Sequence, residues 1–465
     1  MITVSFEGKG KCGLCEWIYL SIKNQISSGT LKPNEKLPSK RTLAENLGVS
    51  VITVQNAYSL LISEGYIYSI EKKGFFVTEL RPVKHKNISS VKTKENLVEK
   101  KEWLADFSSN STGYEKFPFA LWSHTMRQIL NSKDEKLLQR VGIKGVAPLR
   151  IALVKHLLEF RSMNVKPEQI VIGAGTENLY SMVVQLLGQN NIFAVENPGY
   201  RRAAKVFELN GTKALPVKID EHGMNPDELE KSGANVAHVC PNHHFPTGII
   251  MPIRRRQEIL AWANTGNNRY ILEDDYDSEF RFIGKPLPTL QSTDPSGKVI
   301  YINSFTKTLA PSFRISFMVL PERLIPLFEE KLGFYSCPVS AFEQYTLARF
   351  ISEGHYEKHI IRMKNFYRNL RNNLIGALQN SALSKISSFH EKESGLHFLL
   401  KIDSKYSSEE LEKRLKERGI NLPLLKNFYY QKIPKNDDKT FVVNYSGIKK
   451  EKIAETVRRI EEAVR

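Results

Sequence analysis

Residues 304–314 have the sequence Ser-Phe-Thr-Lys-Thr-Leu-Ala-Pro-Ser-Phe-Arg and follow an apolar run at 298–303. The apolar run predicts a buried β-strand, so Lys307 is expected on a loop just beyond the end of that strand. Hydroxyl side chains flank this lysine, and Arg314 lies seven residues beyond it. Hydroxyls and an arginine suit an anion, and a lysine amine suits covalent chemistry with a carbonyl compound.

Four further apolar runs precede this segment in the chain and alternate with helical stretches. They lie at 169–172, 191–196, 234–239 and 269–273. This alternation predicts an α/β domain with a mostly parallel sheet. The residues from about 340 onward are first helical and then mixed, which predicts a smaller C-terminal α+β subdomain.

Other chemically useful residues also follow predicted strands, where open α/β sheets place their ligands. Gly175 and Thr176 follow the run at 169–172 and begin a helix, whose N-terminus suits a phosphate. Tyr200 follows a second run and provides an aromatic ring. Asp274 and Tyr276 end a third run with an acid and a phenol. The acidic residues of this last stretch are also compatible with a magnesium site.

Pyridoxal 5′-phosphate (PLP) requires these groups together: a lysine amine, a carboxylate at the ring nitrogen, a phenol at the ring oxygen, an aromatic cover and an anion site. The order of the four loops resembles that of fold-type I aminotransferases. The resemblance implies that Lys307 forms the internal aldimine, that Asp274 binds the pyridine nitrogen and that Tyr276 binds the ring hydroxyl. It also implies that Tyr200 stacks on the ring. The groups near the phosphate are then Gly175, Thr176, Ser304, Thr306 and Arg314.

A second motif, of unrelated chemistry, occupies residues 38–78. Ser39 and Ser50 predict the N-caps of two short helices that are separated by Gly48, and two short β runs follow. This arrangement predicts a helix-turn-helix with a β wing, and it resembles the GntR family of winged-helix regulators. Val51 departs from that family, which usually has arginine there. The predicted DNA-contacting residues are Ser39, Lys40, Arg41, Ser50, Ile52, Thr53, Gln55, Asn56, Lys72 and Lys73.

With both motifs in series, nearly the whole chain resembles the MocR/GabR subfamily of GntR regulators. The resemblance implies a winged helix at 1–80, a linker at 81–103 and an aminotransferase-like domain at 104–465. It also implies a homodimer with domains exchanged between subunits, which binds a double-stranded DNA operator. The cytoplasm is the expected location, because only four cysteines occur and a disulfide framework is not expected. A small amino compound would then be sensed by aldimine exchange at Lys307.

Departures from the aminotransferase pattern favour sensing over catalysis. Phe245 stands where aminotransferases have an asparagine that hydrogen-bonds the cofactor ring oxygen. Arg202 matches an arginine that binds a carboxylate in GABA-sensing relatives. The second such arginine of those relatives is absent, and Tyr429 stands in the corresponding stretch. The predicted effector-binding residues are Arg202, His243 and Tyr429. The prediction is therefore a regulator and not an enzyme, with two alternatives: an aminotransferase attached to a DNA-binding domain, and a regulator that senses PLP itself.

Composition agrees with this interpretation and limits others. The chain has 465 residues and a formal net charge of +17, which favours polyanionic partners such as nucleic acid. Residues 1–80 carry only +2 and residues 81–103 carry +4, so most of the positive charge lies beyond the linker. No apolar run is long enough to span a membrane. Cys12 and Cys15 form a Cys-x-x-Cys, but four ligands are needed for a structural zinc ion, so no metal site is predicted.

Overall fold

The computed structural model describes residues 12–79, 102–108, 116–391, 394–430 and 438–465. The chain divides into two compact units, one within residues 1–99 and the other within residues 100–465. Residues 81–101 of the predicted linker at 81–103 lie outside the described residues. Among the described residues, no helix is both long enough and apolar enough to cross a membrane.

The first unit is a three-helix domain followed by a β-hairpin. Ser39 and Ser50 cap the second and third helices, because their hydroxyls accept hydrogen bonds from the backbone N–H groups of Thr42 and Thr53 at 3.1 and 3.2 Å. Gly48 ends the second helix in the left-handed conformation, with φ +66°. The elements are α1 (Leu14–Ser27), α2 (Lys40–Leu47), α3 (Val51–Ser63), β1 (Ile67–Ile70) and β2 (Gly74–Val77).

A small core holds this unit together. Ile18 and Ile22 of α1 pack against Val54 and Leu61 of α3, at the helical spacing that the sequence predicts. The hairpin closes with Ile67 opposite Val77. The unit is therefore the predicted winged helix, with its core drawn from residues 18–77.

The second unit contains a large sheet with helices on both faces. Its helices are α4 (Phe119–Asn131), α5 (Ala147–Arg161), α6 (Thr176–Leu187), α7 (Arg201–Leu209), α8 (Pro226–Lys231), α9 (Ile253–Asn264), α10 (Ile325–Leu332), α11 (Ala341–Ser352), α12 (His355–Gln379), α13 (Ser408–Glu417) and α14 (Ile453–Val464). Its strands are β3 (Ala105–Asp106), β4 (Ile170–Gly173), β5 (Ile192–Asn197), β6 (Lys213–Asp220), β7 (Gly223–Met224), β8 (Val236–Val239), β9 (Tyr270–Asp274), β10 (Val299–Ser304), β11 (Ser316–Val319), β12 (Ser387–His390), β13 (His397–Ile402), β14 (Ile420–Asn421) and β15 (Thr440–Asn444).

The large sheet has the strand order β4-β11-β10-β9-β8-β5-β6-β7. Its strands are parallel except β11, which lies antiparallel between β4 and β10, and the edge strand β7. Alternate residues of β10 enter different cores: Tyr301 packs on the side of α5 and α11, whereas Ile300 and Ile302 pack on the side of α6 and α7. Because both faces are covered, the central strands are apolar throughout, as the sequence predicts.

A smaller subdomain follows α12. Its antiparallel sheet has the order β12-β13-β15, and α12, α13 and α14 pack on it around a common apolar core. The short strand β3 pairs in parallel with β14, so the segment that begins the second unit is joined to this C-terminal subdomain. The architecture agrees with the predicted α/β domain with a smaller α+β subdomain.

Candidate cofactor site

A cavity of about 230 Å³ lies at the carboxyl ends of the parallel strands. Since these strands run in the same direction, the loops that follow β4, β5, β8, β9 and β10 meet at one edge of the sheet. Most of the predicted cofactor residues are brought together there. The lining residues are Thr176, Glu177, Tyr200, Arg202, Cys240, Phe245, Asp274, Tyr276, Ser304, Thr306, Lys307, Pro311 and Arg314.

Lys307 lies on the loop after β10 and is buried. Burial lowers the pKa of its amine to about 8, an effect that the nearby Asp277 carboxylate partly opposes. A larger fraction of the amine is therefore neutral near pH 8 than for an exposed lysine. A neutral amine is the form that attacks a carbonyl group.

Asp274, the last residue of β9, is buried and holds its carboxylate in a polar network. Tyr180 donates its hydroxyl to Asp274 Oδ2, and His238 Nε2 lies 3.5 Å from the same oxygen. The second oxygen, Oδ1, is buried and makes no hydrogen bond with the described residues. A buried carboxylate oxygen without a donor is costly, so Oδ1 is suited to a ligand that brings its own N–H group.

The opposite end of the cavity suits an anion. The N-terminus of α6 begins at Thr176, directly after Gly175, whose φ is +92°. A Cβ at Gly175 would lie only 2.3 Å from Arg314 Nη2, so glycine lets the guanidinium group lie against this turn. Arg314 Nη2 donates to Glu177 Oε2 at 2.5 Å. Backbone N–H groups, hydroxyls and an arginine are the usual donors to a phosphate.

Two aromatic rings line the middle of the cavity. Tyr200 follows β5, and its ring centroid lies 6.3 Å from that of Phe245 in an edge-on arrangement. Burial raises the pKa of the Tyr200 phenol. Phe245 offers no hydrogen bond, so this wall is apolar where the sequence comparison with aminotransferases predicts an asparagine.

Tyr276 lines the cavity and also contacts a buried cluster of polar residues. Its hydroxyl donates to the backbone oxygen of His243 at 2.9 Å, and His243 Nδ1 lies 2.9 Å from Asp277 Oδ2. His397 packs against His243 with ring centroids 4.3 Å apart. Burial raises the pKa of Tyr276 well above its ordinary value and lowers that of His397. A metal ion could in principle be held by the side chains of His243, Asp277 and His397, whose ligand atoms lie within 4.8 Å of one another. However, the ligand atoms of His243 and Asp277 already form a hydrogen bond with each other.

Asp275, next to Asp274, belongs to a different network. Tyr301 donates to Asp275 Oδ2 at 2.7 Å, Asn242 donates to Oδ1 at 2.7 Å, and Arg161 forms a buried ion pair with it. Its carboxylate is fully used by protein groups and does not line the cavity. Asp275 is therefore part of the structural network and not of the cavity wall.

The three predicted effector-binding residues are placed differently. Arg202 is exposed and lines the cavity beside Tyr200. His243 is not among the lining residues and contacts Tyr276 instead. Tyr429 is also absent from the lining and packs in a small apolar cluster with Phe245. Of the three, Arg202 alone is in direct reach of a ligand in this cavity.

Most of the predicted DNA-contacting residues are exposed, and they lie on α2, α3 and the hairpin of the winged helix. Ile52, Gln55 and Asn56 are exposed on α3, and Lys40 Nζ donates to Gln55 Oε1 at 3.3 Å. The exposed residues Lys72 and Lys73 form the hairpin turn. Thr53 is half-buried and Arg41 is exposed, whereas the hydroxyls of Ser39 and Ser50 are engaged in capping.

Three residues of the site are not predicted from the sequence. Tyr180 and His238 bind Asp274, and Glu177 binds Arg314. Glu177 directly follows the predicted Gly175-Thr176 turn, so its position was a usable signal. The other two lie inside an apolar helix and an apolar strand, where a polar group is easily taken for part of the core.

Comparison with known proteins agrees with both motifs. A family model described as bacterial regulatory proteins of the gntR family matches residues 14–77. The chain is 33% identical to the uncharacterized HTH-type transcriptional regulator YdeL of Bacillus subtilis, over 97% of this chain and 96% of that protein. It is 28% identical to the probable rhizopine catabolism regulatory protein MocR of Rhizobium meliloti, over 96% and 92% of the two chains.

The second unit resembles solved aminotransferases. Kynurenine aminotransferase of Pyrococcus horikoshii, solved in complex with PMP, superposes with a TM-score of 0.69 and 25% identity, covering 79% of this chain and 92% of that chain. The fold is therefore that of PLP-dependent aminotransferases, joined to a winged helix. Together with the full-length similarity to HTH-type regulators, this places the protein in the MocR/GabR subfamily of GntR-family transcriptional regulators.

Proposed function

We propose that this regulator binds PLP in the cavity at Lys307 and uses it to sense a small amino compound, which changes its binding to DNA. The observation that carries this proposal is the pairing of Lys307 with Asp274, whose buried Oδ1 makes no hydrogen bond with the described residues. In this cavity the lysine amine can react with an aldehyde. The carboxylate oxygen without a hydrogen bond can accept one from a protonated ring nitrogen. The anion-binding turn at Gly175 and Arg314 suits a phosphate.

The residues present fit the cofactor. Pyridoxal 5′-phosphate, when bound, supplies an aldehyde that condenses with amines and a ring that draws electrons from the new bond. Lys307 would provide the amine and Asp274 Oδ1 would accept the ring N–H. Tyr276 would face the ring oxygen and Tyr200 the ring face. The phosphate would bind Thr176, Ser304, Thr306 and Arg314 beside Gly175.

Lys307 is suited to reversible attachment and not only to anchoring. The pKa of about 8 gives its amine a far larger neutral fraction near physiological pH than an exposed lysine has, so it can return to an aldehyde without strong base. An amine effector that replaced Lys307 at the aldehyde would release the lysine side chain. Arg202, exposed at the cavity wall, would bind a carboxylate of such an effector.

Sensing is favoured over turnover by the apolar wall at Phe245. A phenylalanine cannot donate to the ring oxygen, and Tyr276 directs its single hydroxyl proton to the backbone of His243. The aminotransferase alternative is supported by the fold and by the similarity to kynurenine aminotransferase. Sustained conversion of an amino acid with a keto acid, at about 1 s⁻¹ or faster, would favour that alternative.

The partner of the first unit is double-stranded DNA, bound as an operator through α3 and the hairpin. The exposed polar residues Gln55 and Asn56 are suited to adenine edges in the major groove. We also propose that the protein acts in the cell as a homodimer whose winged helices are exchanged between the subunits. A two-fold arrangement of helix-turn-helix units would match an operator with two half-sites.

The replacement Lys307→Ala tests the proposal. It should abolish the absorbance band of the Schiff base between PLP and Lys307 and the effect of amines on DNA affinity, while DNA binding itself persists. Lys298→Ala is a matched control, because Lys298 is also buried and directly precedes β10, but donates to the backbone of Gly266 and Asn267. An amine response that survives in Lys307→Ala would contradict the proposal.

The same assay separates the remaining alternative, a regulator that senses PLP itself. DNA affinity is measured first without PLP, then with PLP, and then with PLP and a panel of amines. A change at the second step with none at the third would favour PLP as the effector. A change at the third step that requires Lys307 would favour an amine.

A further inference from the structure

Two consecutive buried aspartates end β9, and each receives a hydrogen bond from a buried tyrosine. Tyr180 donates to Asp274 Oδ2, and Tyr301 donates to Asp275 Oδ2. Asp274 alone of the two lines the cavity. Asp275 has further protein donors, whereas Asp274 Oδ1 has none among the described residues. The two pairs thus have the same chemistry but different surroundings.

Tyr180 is held firmly in place. It is fully buried on α6, and its ring packs against Phe207 and His238 with centroids 5.5 and 5.4 Å away. An ionised carboxylate can only accept hydrogen bonds, so the tyrosine proton is directed to Asp274. Since Oδ2 is occupied in this way, Oδ1 is the oxygen that remains for a ligand.

His238 on β8 extends the network. Its Nε2 lies 3.3 Å from Tyr180 Oη and 3.5 Å from Asp274 Oδ2. Because the Tyr180 hydroxyl donates its proton to the hydrogen bond with Asp274, the tyrosine oxygen can accept a hydrogen bond from His238. Two donors in sequence then stabilise negative charge on this buried carboxylate.

We propose that Tyr180 and His238 are positioning residues that hold the Asp274 carboxylate so that its Oδ1 is directed to a protonated ring nitrogen. The proposal rests on the proposed function, because it concerns the ring of the bound cofactor. It assigns to Tyr180 and His238 a role in selecting a nitrogen heterocycle, which a purely structural hydrogen bond would not have. A ring that lacks this nitrogen gains nothing from this orientation of Asp274.

The test compares Tyr180→Phe with Tyr301→Phe. Both remove one hydroxyl from a buried tyrosine and keep the ring that packs in the core. Equilibrium affinity is measured for PLP and for its carba analogue, in which the ring nitrogen is replaced by CH. For Tyr180→Phe, affinity for PLP should fall about tenfold, since a hydrogen bond to a charged group is lost. Affinity for the carba analogue should not change.

The control variant should leave the preference for PLP over the analogue unchanged, because Asp275 does not face the cavity. Thermal unfolding of both variants checks that the fold is kept. An equal loss of affinity for both ligands in Tyr180→Phe, or an equal loss of preference in Tyr301→Phe, would overturn the inference.

His238 provides a second, independent variant. His238→Leu removes the donor and should weaken the preference for PLP, whereas His238→Gln retains a side-chain N–H and should restore part of it. Retention of the full preference in His238→Leu would remove His238 from the proposal.

If the wild-type protein binds neither ligand, the proposed function itself fails. If it prefers PLP but Tyr180→Phe keeps that preference, the inference alone fails.

Discussion

Gly175 illustrates how much a single residue contributes to the candidate site. Its backbone lies at φ +92° and ψ 164°, a region that is nearly restricted to glycine. Replacement by alanine would place a Cβ 2.3 Å from Arg314 Nη2, so the guanidinium would have to leave the turn. We expect Gly175→Ala to lower affinity for PLP at least tenfold. The phosphate would lose its contact with Arg314, and the turn before α6 would be distorted.

Gly188 provides the control for this prediction. It ends the same helix, α6, with nearly the same backbone angles, φ +97° and ψ 156°, but a Cβ there would meet nothing within 4 Å. Gly188→Ala should therefore cost stability through the same backbone strain, about 1–3 kcal/mol, without a specific loss of PLP affinity. Titration of PLP by absorbance checks both variants, and equal affinities would contradict the role given to Gly175.

The residues that sequence could and could not predict differ in where their partners lie. Lys307, Asp274 and Tyr276 follow apolar strands directly, so local patterns suffice to place them at the ligand edge of the sheet. Tyr180 lies 94 residues from Asp274 and on the apolar face of a helix. A hydrogen bond between such distant residues depends on the packing of α6 against β9, which no local pattern specifies.

At the scale of elements, the alternation of strands and helices predicts β4, β5, β8, β9 and β10 with small shifts at their ends. The strand β11 is not predicted, although all its residues are buried. It runs antiparallel between β4 and β10 and follows β10 after the loop at 305–315. An antiparallel strand needs no crossover helix, so the strand–helix rhythm gives no signal for it.

The recognition helix α3 yields a prediction of its own. Gln55 is exposed there, and its side chain is held by Lys40 from α2. Gln55→Ala should weaken binding to the preferred operator by about 1–3 kcal/mol and relax sequence preference at one base pair, since a bidentate contact to a base is lost. Sites selected from a random DNA pool provide the probe.

Lys73→Ala serves as the contrasting variant for Gln55. Lys73 is exposed in the hairpin turn, where a lysine suits a phosphate and not a base edge. Its removal should weaken binding to all sequences alike and reduce the salt dependence of affinity. If Gln55→Ala lowered affinity equally for preferred and random DNA, α3 would not carry the base contacts predicted for it.

At the scale of the whole molecule, the two units have separate apolar cores. The core of the winged helix is drawn from residues 18–77, whereas the cores of the second unit begin at Ala105. The cavity and all its lining residues belong to the second unit. A ligand in the cavity therefore contacts one core only, although the regulator must transmit the signal to DNA.

This separation predicts two thermal transitions in calorimetry of the full-length protein. A ligand that binds one folded unit stabilises that unit by mass action. PLP at 100 times its dissociation constant should raise the stability of the second unit by about 2.7 kcal/mol and leave the transition of the winged helix unchanged. At the same PLP concentration the gain should be smaller in Lys307→Ala, because the covalent attachment is lost and the dissociation constant rises. A single transition, or an upward shift of both transitions with PLP, would mean that the two units unfold together. PLP binding would then act on the winged helix by stabilising both units at once, and not by changing their arrangement.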